Sequence, residues 1–272
     1  MRTIKGLSVM EQHDFERNCP SFYAEAPKGD VSDEYVFLNT REIALQLWDS
    51  GWMPVHATEQ RSNDITNRGF TKHIVRWAHP EFVHEGERVE LVGMNSHNRS
   101  AAFQLMLGVE VFACLNGQIV ADQEFGHFSI KHIGTSVESQ VKYALKEMME
   151  IGEGIGSKVE TWKALHMNGQ DQHKLARAAH IMVWGNNAPV DAARLLWPRR
   201  MEEEGWHHKV PRPNLWTTMN VIQENVMKGG LRGTNSAGAF HRTRPITAID
   251  RGVKFNQSLW QMSEIMATQL AA

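Results

Sequence analysis

The apolar residues of this chain recur every second position up to about residue 134 and every third or fourth position beyond it. That change of period limits the fold more than any other feature, because a strand and a helix bury their faces at different spacings. From Phe103 the odd positions Phe103, Leu105, Leu107, Val109 and Val111 are apolar, while Gln104 and Glu110 face the other way. Asn116-Gly117 supplies a hairpin turn. WMPVHAT, FTKHIVRWA, ERVELVGM, GQIVA and FGHFSIKHI carry similar strand signals. Several are short enough for tight turns, so an antiparallel sheet is expected. One helix precedes them in NTREIALQLWDSG, capped by Asn39 and stopped at Gly51. At Thr135 a capping box with Glu138 opens a helical pattern in which Val141, Leu145, Met148, Ile151, Ile155, Val159, Trp162 and Leu165 recur. Its GEGIG stretch is expected to kink or split it. Further helices are expected in DQHKLARAAHIMVWG, PVDAARLLW, NLWTTMNVIQENVMKGG and FNQSLWQMSEIMATQLAA. The fold class is therefore α+β, an antiparallel sheet in the N-terminal half followed by a helical C-terminal half. The expected organisation is an irregular arm at 1–34 leading into a short strand, YVFL; a sheet region with one helix at 35–134; and a helical region at 135–272. The last packs on the sheet within one compact domain.

The 272 residues carry a formal charge of -2, which excludes a uniformly basic nucleic-acid binder but leaves room for a local basic groove. No stretch approaches the roughly 20 apolar residues that span a bilayer, and the first residues lack the apolar centre of a signal peptide. A cytoplasmic protein with no membrane partner is expected. Cys114 sits in an apolar strand pattern and reads as a small buried hydrophobe, not a disulfide partner of the distant Cys19. Fourteen histidines raise the question of metal, yet no H-x-x-x-H or H-E-x-x-H falls on a helix and no Cys or carboxylate cluster has ligand spacing. No metal and no cofactor are expected. Phosphate-binding and dinucleotide glycine motifs and a G-x-S-x-G elbow are absent from the sequence. With carboxylates scattered singly over the strands, no catalytic residue is assigned.

Three basic segments carry more information. RGFTKHIVRWAH places Lys72, Ile74 and Arg76 on one strand face, with His73, Val75 and Trp77 on the other. WPRRMEEEGWHHKVPRPNLW mixes Arg199, Arg200, Lys209 and Arg212 with Trp197, Trp206 and Trp216, but Glu202 to Glu204 neutralise it internally. From Lys228 to Lys254 the chain has six Lys or Arg residues against one carboxylate, Asp250, set among glycines, hydroxyls and amides. Lys72, Arg76, Arg232, Arg242, Arg244, Arg251 and Lys254 are the candidate phosphate contacts, joined by His241, and Phe240 or Trp260 is the candidate stacking partner for a base. Asn95-Ser-His-Asn-Arg99 either begins a strand or adds Asn95, His97 and Arg99 as ligand contacts at the sheet edge.

The run VELVGMNSHNRSAAFQLMLGVEVFACLNGQ resembles the central signature of a phage- and plasmid-associated family, domain of unknown function 932. NLWTTMNVIQENVMKGG and RTRPITAIDRGVKFNQSLW are similar to its C-terminal part, so the likeness runs from about Val36 onward. This chain has Asn98-Arg99 where members commonly carry Asp-Gly, and an Arg expected in the strand is replaced around Val111. The resemblance implies a mobile-element setting, in which single-stranded DNA handling, replication and recombination are common tasks. A sheet followed by a long helix is also the core plan of phage single-strand annealing proteins. The expected function is non-enzymatic binding or annealing of single-stranded DNA, or RNA, in a bacterial cytoplasm, as a homo-oligomer. One alternative is an interaction factor for a host or phage protein that modulates transcription or defence. The other is an enzyme acting on nucleotides or DNA ends with Asn95, His97 and Arg99 as its site.

Overall fold

The computed structural model describes residues 1–29, 32–84, 86–111, 116–119, 127–132, 137–185, 190–199, 213–234 and 238–272. In chain order the elements begin with β1 (Arg2–Ile4), β2 (Leu7–Val9), α1 (Gln12–Asn18), α2 (Thr40–Asp49) and β3 (Met53–Glu59). Then come β4 (His73–His84), β5 (Glu87–Asn95), β6 (Phe103–Val111), β7 (Asn116–Ile119) and β8 (His127–Ile130). The remainder is α3 (Val137–Ala164), α4 (Gly169–Trp184), α5 (Leu215–Lys228), β9 (Arg232–Thr234), β10 (Phe240–Arg242) and α6 (Ile249–Ala271). The fold is α+β. The chain divides into one unit of Met1–Ala113 with Asp122–Gly156 and a second of Cys114–Ala121 with Ser157–Ala272.

In the first unit β3, β4, β5, β6 and β8 pair in that order, all antiparallel. The register sets Val75, Trp77, Val89, Leu91, Leu105, Leu107 and Val109 on one buried face. Side chains of this size each contribute about 1.5–3 kcal/mol when removed from water. Gly93 belongs to the same face for a steric reason: a Cβ there would lie 2.7 Å from the Trp77 ring. Asn39 caps α2 as its spacing predicts, accepting from the Arg41 and Glu42 amides, and Ile43, Ala44 and Leu47 are buried.

Several expectations change here, and the helix expected in PVDAARLLW is only a 3₁₀ turn at Ala192–Leu196. The arm is not irregular: β1 and β2 form a hairpin through Lys5-Gly6, both at positive φ. Leu7 and Val9 bury themselves against Met53, Val55 and Ala78, while Phe15 of α1 stacks on Phe22 at 4.1 Å. Short apolar pairs separated by one polar residue were enough, because a neighbouring strand was there to cover them. YVFL, by contrast, forms no strand beyond a bridge at Tyr35. The long helix α3, for its part, runs unbroken for 28 residues through GEGIG. Each interior glycine costs about 1 kcal/mol, and burial of Val141, Ala144, Leu145, Met148, Ile155, Val159 and Trp162 outweighs it. The Thr135 cap, Cys114, and Arg200 to Arg212 lie outside the described residues.

The second unit is built around α5, which is buried at every position from Leu215 to Val226 except Thr217. It packs with α4, α6 and β7, and with a short 3₁₀ turn at Ala192–Leu196. Trp162, Trp216 and Trp260 meet in one aromatic cluster, with Trp162 and Trp260 only 4.5 Å apart.

Candidate nucleic-acid interface

The candidate residues of the first unit are mostly inside it. Lys72 is buried, and its carbonyl accepts from the Gln60 amide. Arg76 lies 2.7 Å from Glu90, which is itself fully buried. Arg88 pairs with Glu90 at 2.8 Å and also with Glu110. The register explains the network: Arg88 is directly opposite Glu110, and Arg76 is diagonal to Glu90 across the β4–β5 pair. Burial and the neighbouring Glu90 push the Glu110 carboxyl above the usual carboxylate range. Two arginines facing two carboxylates leave no surplus charge for a phosphate, so the expected cationic strand face is a neutralised one.

Asn95 and His97 are also buried, and the sheet-edge reading gives way to an interior one. The Asn95 amide donates to the Leu38 carbonyl at 2.9 Å and to the Thr40 hydroxyl at 3.0 Å. Its carbonyl accepts from the Ser96 amide. The Ser96 hydroxyl both accepts from the Ala101 amide and donates to the Ala101 carbonyl, closing the turn. Only Arg99 of this group faces solvent, at φ 63°. The enzyme alternative needed Asn95 and His97 beside Arg99 at a surface, and they are not there together.

A polar knot forms instead, joining Asn95 and His97 to Thr40 and His73, residues that sequence spacing does not bring together. His73 Nδ1 lies 2.9 Å from the Thr71 carbonyl, which can only accept, so that nitrogen carries the proton. Its Nε2 then accepts from the Thr40 hydroxyl at 2.9 Å. Thr40 has its oxygen left to accept from Asn95 and from His97 Nε2 at 3.4 Å. By the same logic His132 donates from Nδ1 to the Val36 carbonyl, and its ring stacks on Tyr35. Among the described residues, His97 Nδ1 and His132 Nε2 are buried without a hydrogen-bond partner, although the Ser21 backbone lies near His97. Burial, with His73 and His132 adding to it, lowers His97 to about 3. Burial lowers His73 to about 4 and lowers His132 in the same direction. All three imidazoles are held neutral.

The second unit presents the remaining candidates at its surface. Arg232, Phe240, His241, Arg242, Arg244, Arg251 and Lys254 are all exposed, Phe240 to 70%. Trp260 is fully buried in the tryptophan cluster, which removes it as a stacking partner. β9 and β10 form a two-stranded ribbon in which Arg232 pairs with Arg242 and Thr234 with Phe240. Alternation places these four on one face. The other face meets the protein at Gly233, where a Cβ would come within 3.0 Å of Val190. The ribbon's base is tightly stapled: the Gly230 amide donates to the Thr243 carbonyl, the Thr243 amide to the Leu231 carbonyl, and the Ile246 amide to the Met227 carbonyl. Gly229 ends α5 at φ 55°, and a Cβ there would overlap the backbone of Arg244 and Pro245. Like charges directly opposite each other cost stability, so a cross-strand arginine pair at an exposed surface is an arrangement that an anion would relieve. Arg251 and Lys254, three residues apart on α6, extend the same positive character.

Among the described residues, one group brings three potential metal donors together: Glu11, His13 and Asp14. The Asp14 carboxylate already accepts from the Glu11 amide and pairs with the Met1 ammonium at 2.8 Å. Asp14 is the third residue of α1 and closes a capping box with Glu11, the N-cap residue. No helix among the described residues is long and apolar enough to cross a membrane.

Comparison with known proteins returns relatives without an assigned activity. Residues 27–260 match the family described as Domain of unknown function (DUF932). The chain is 32% identical to UPF0380 protein YfjQ of Escherichia coli (strain K12), over 96% of this chain and 93% of that protein. It is 31% identical to UPF0380 protein YafZ of the same strain, with the same coverage. No solved structure matches. The family likeness carried by the NSHNR turn thus extends over nearly the whole sequence, and the chain belongs to the DUF932 family.

Proposed function

We propose that the protein binds nucleic acid, single-stranded DNA above all, through the exposed face of the β9–β10 ribbon. One observation carries this reading: Arg232 and Arg242 stand directly opposite each other beside an exposed Phe240. Guanidinium groups grip phosphate oxygens bidentately, and a phenyl ring accepts any base by its π face, so the contact is tolerant of sequence. Arg244, Arg251 and Lys254 supply further phosphate contacts along the same stretch of chain. A net charge of -2 does not oppose this, because the cations concentrate here while the charges of the sheet network cancel.

The test is fluorescence anisotropy of a labelled oligothymidine titrated with protein at several salt concentrations. The wild-type chain should bind at low salt and weaken as salt rises. Replacing Arg232 and Arg242 together by alanine should lower affinity at least tenfold and flatten the salt dependence by about 0.7 per lost phosphate contact. Wild-type protein that ignores the oligonucleotide at low salt would sink the proposal. An unchanged slope in the double variant would move the site away from the ribbon.

A further inference from the structure

We infer that Trp197, backed by Arg194, is a second base-stacking position for the same single strand. This inference rests on the nucleic-acid reading of the ribbon and extends it to a second element. Trp197 is 56% exposed, and the Arg194 guanidinium lies 4.1 Å from its ring centroid. Trp216, from the same basic and aromatic segment of sequence, is buried. The cation occupies one face of the indole and holds the ring upright. More than half of Trp197 is exposed, which leaves ring surface for a planar group, and a cation next to that group favours one attached to a phosphate.

The frame that positions Trp197 is the frame that starts the ribbon. Buried Asn225 donates from its side chain to the Leu195 and Trp197 carbonyls, both at 2.9 Å. Arg199 donates to the Asn225 side-chain oxygen at 2.9 Å and also to the Gly229 carbonyl. Gly229 caps α5, and Arg232 follows three residues later. On the other side, Val190 underlies the ribbon at Gly233, immediately before the turn that carries Arg194. Trp197 and the arginine pair are therefore fixed to one end of α5 by Asn225 and Arg199, which act as positioning residues. Two exposed aromatic rings, Trp197 and Phe240, on segments anchored to the same end of α5 suit a flexible strand whose bases are unpaired. A duplex keeps its bases stacked on each other and offers neither ring a partner. The ligand class is thus single-stranded nucleic acid, not duplex.

The experiment uses the full chain with a labelled oligothymidine and a duplex of equal length. Trp197→Ala should weaken single-strand binding about 5- to 150-fold, the range for one stacked base. Its salt slope should stay at the wild-type value, since no phosphate contact is removed. Trp197→Phe keeps a ring and should retain most of the affinity, yet lose the tryptophan quenching that oligonucleotide causes in the wild type. That second readout holds even if the alanine variant folds poorly. Equal quenching in wild type and Trp197→Phe, or wild-type affinity in a folded Trp197→Ala protein, would overturn the inference. In that event a defective Arg232→Ala/Arg242→Ala variant would leave the ribbon standing alone. Absence of any wild-type binding at low salt would instead remove the underlying function, so the two failures are distinguishable.

Discussion

At the scale of single residues, the NSHNR turn is a structural device whose outer rim alone reaches solvent. Asn95 spends its amide on Leu38 and Thr40, and His97 reaches the same Thr40 hydroxyl from the other side. Removing one partner from such a buried network leaves the others unpaired, at about 1–3 kcal/mol. Asn95→Ala and His97→Ala should therefore each lower stability by an amount in that range, read as the shift of a urea midpoint. Their affinity for oligonucleotide should remain within twofold of wild type when measured below the unfolding transition. A stable His97→Ala protein with weakened binding would return this histidine to the interface. The inward direction of Asn95 was legible in the strand pattern: Leu91, Gly93 and Asn95 share one parity, and Leu91 is a core residue. His73 likewise shares the parity of Val75 and Trp77. Thr40 was not legible as their hydrogen-bond partner, nor His132 as a neighbour of His97, because the meeting of a helix N-terminus, two strands and the end of β8 is a tertiary event with no local spacing.

Elements follow the same division between what periodicity encodes and what packing decides. The buried faces of the strands and α2 follow from alternation, a cap and a stop. The continuity of α3 does not, since intrinsic propensity argues for a break at GEGIG and only burial on both sides keeps the helix whole. Gly152 tests that balance. A Cβ there would meet Phe82 and Val89 at 3.9–4.0 Å, ordinary contact distances. Gly152→Ala should therefore stabilise the protein by about 0.5–1 kcal/mol, the propensity gain of alanine in a helix interior. A fall in the urea midpoint would mean that the site is tighter than ordinary contact. Gly229 is the opposite case. Its positive φ and its approach to Arg244 and Pro245 leave no room for a side chain. Gly229→Ala should cost about 1–3 kcal/mol or more and displace the base of the ribbon. Oligonucleotide affinity should fall in that variant although no contacting residue has changed. Retained affinity would separate the ribbon's function from its anchoring. The cations among glycines were visible in sequence as a basic segment; that the segment folds into a ribbon and sets Arg232 opposite Arg242 depends on pairing register, which no composition encodes.

For the molecule as a whole, the buried imidazoles make stability a function of pH. His73, His97 and His132 sit in one unit and are all harder to protonate folded than unfolded. Above the unfolded value of 6.5 both states leave them neutral, and the contribution of the knot is fully present. As the pH falls below 6.5 the unfolded chain takes up protons that the folded one refuses, so stability declines. The decline continues until the folded protein is itself protonated, near 4 for His73 and near 3 for His97. Each unit of pH in that window costs about 1.4 kcal/mol per histidine that titrates only when unfolded. Acid loss should thus begin well above the range in which exposed carboxylates titrate. Urea midpoints measured from pH 7.5 to pH 4.5 should fall steeply below about 6.5. His73→Gln, with one such group fewer, should show a shallower fall even though its stability at pH 7.5 is lower. Parallel curves for the two proteins would mean that His73 is protonated equally in both states, and the neutral hydrogen-bond chain through Thr40 would have to be redrawn.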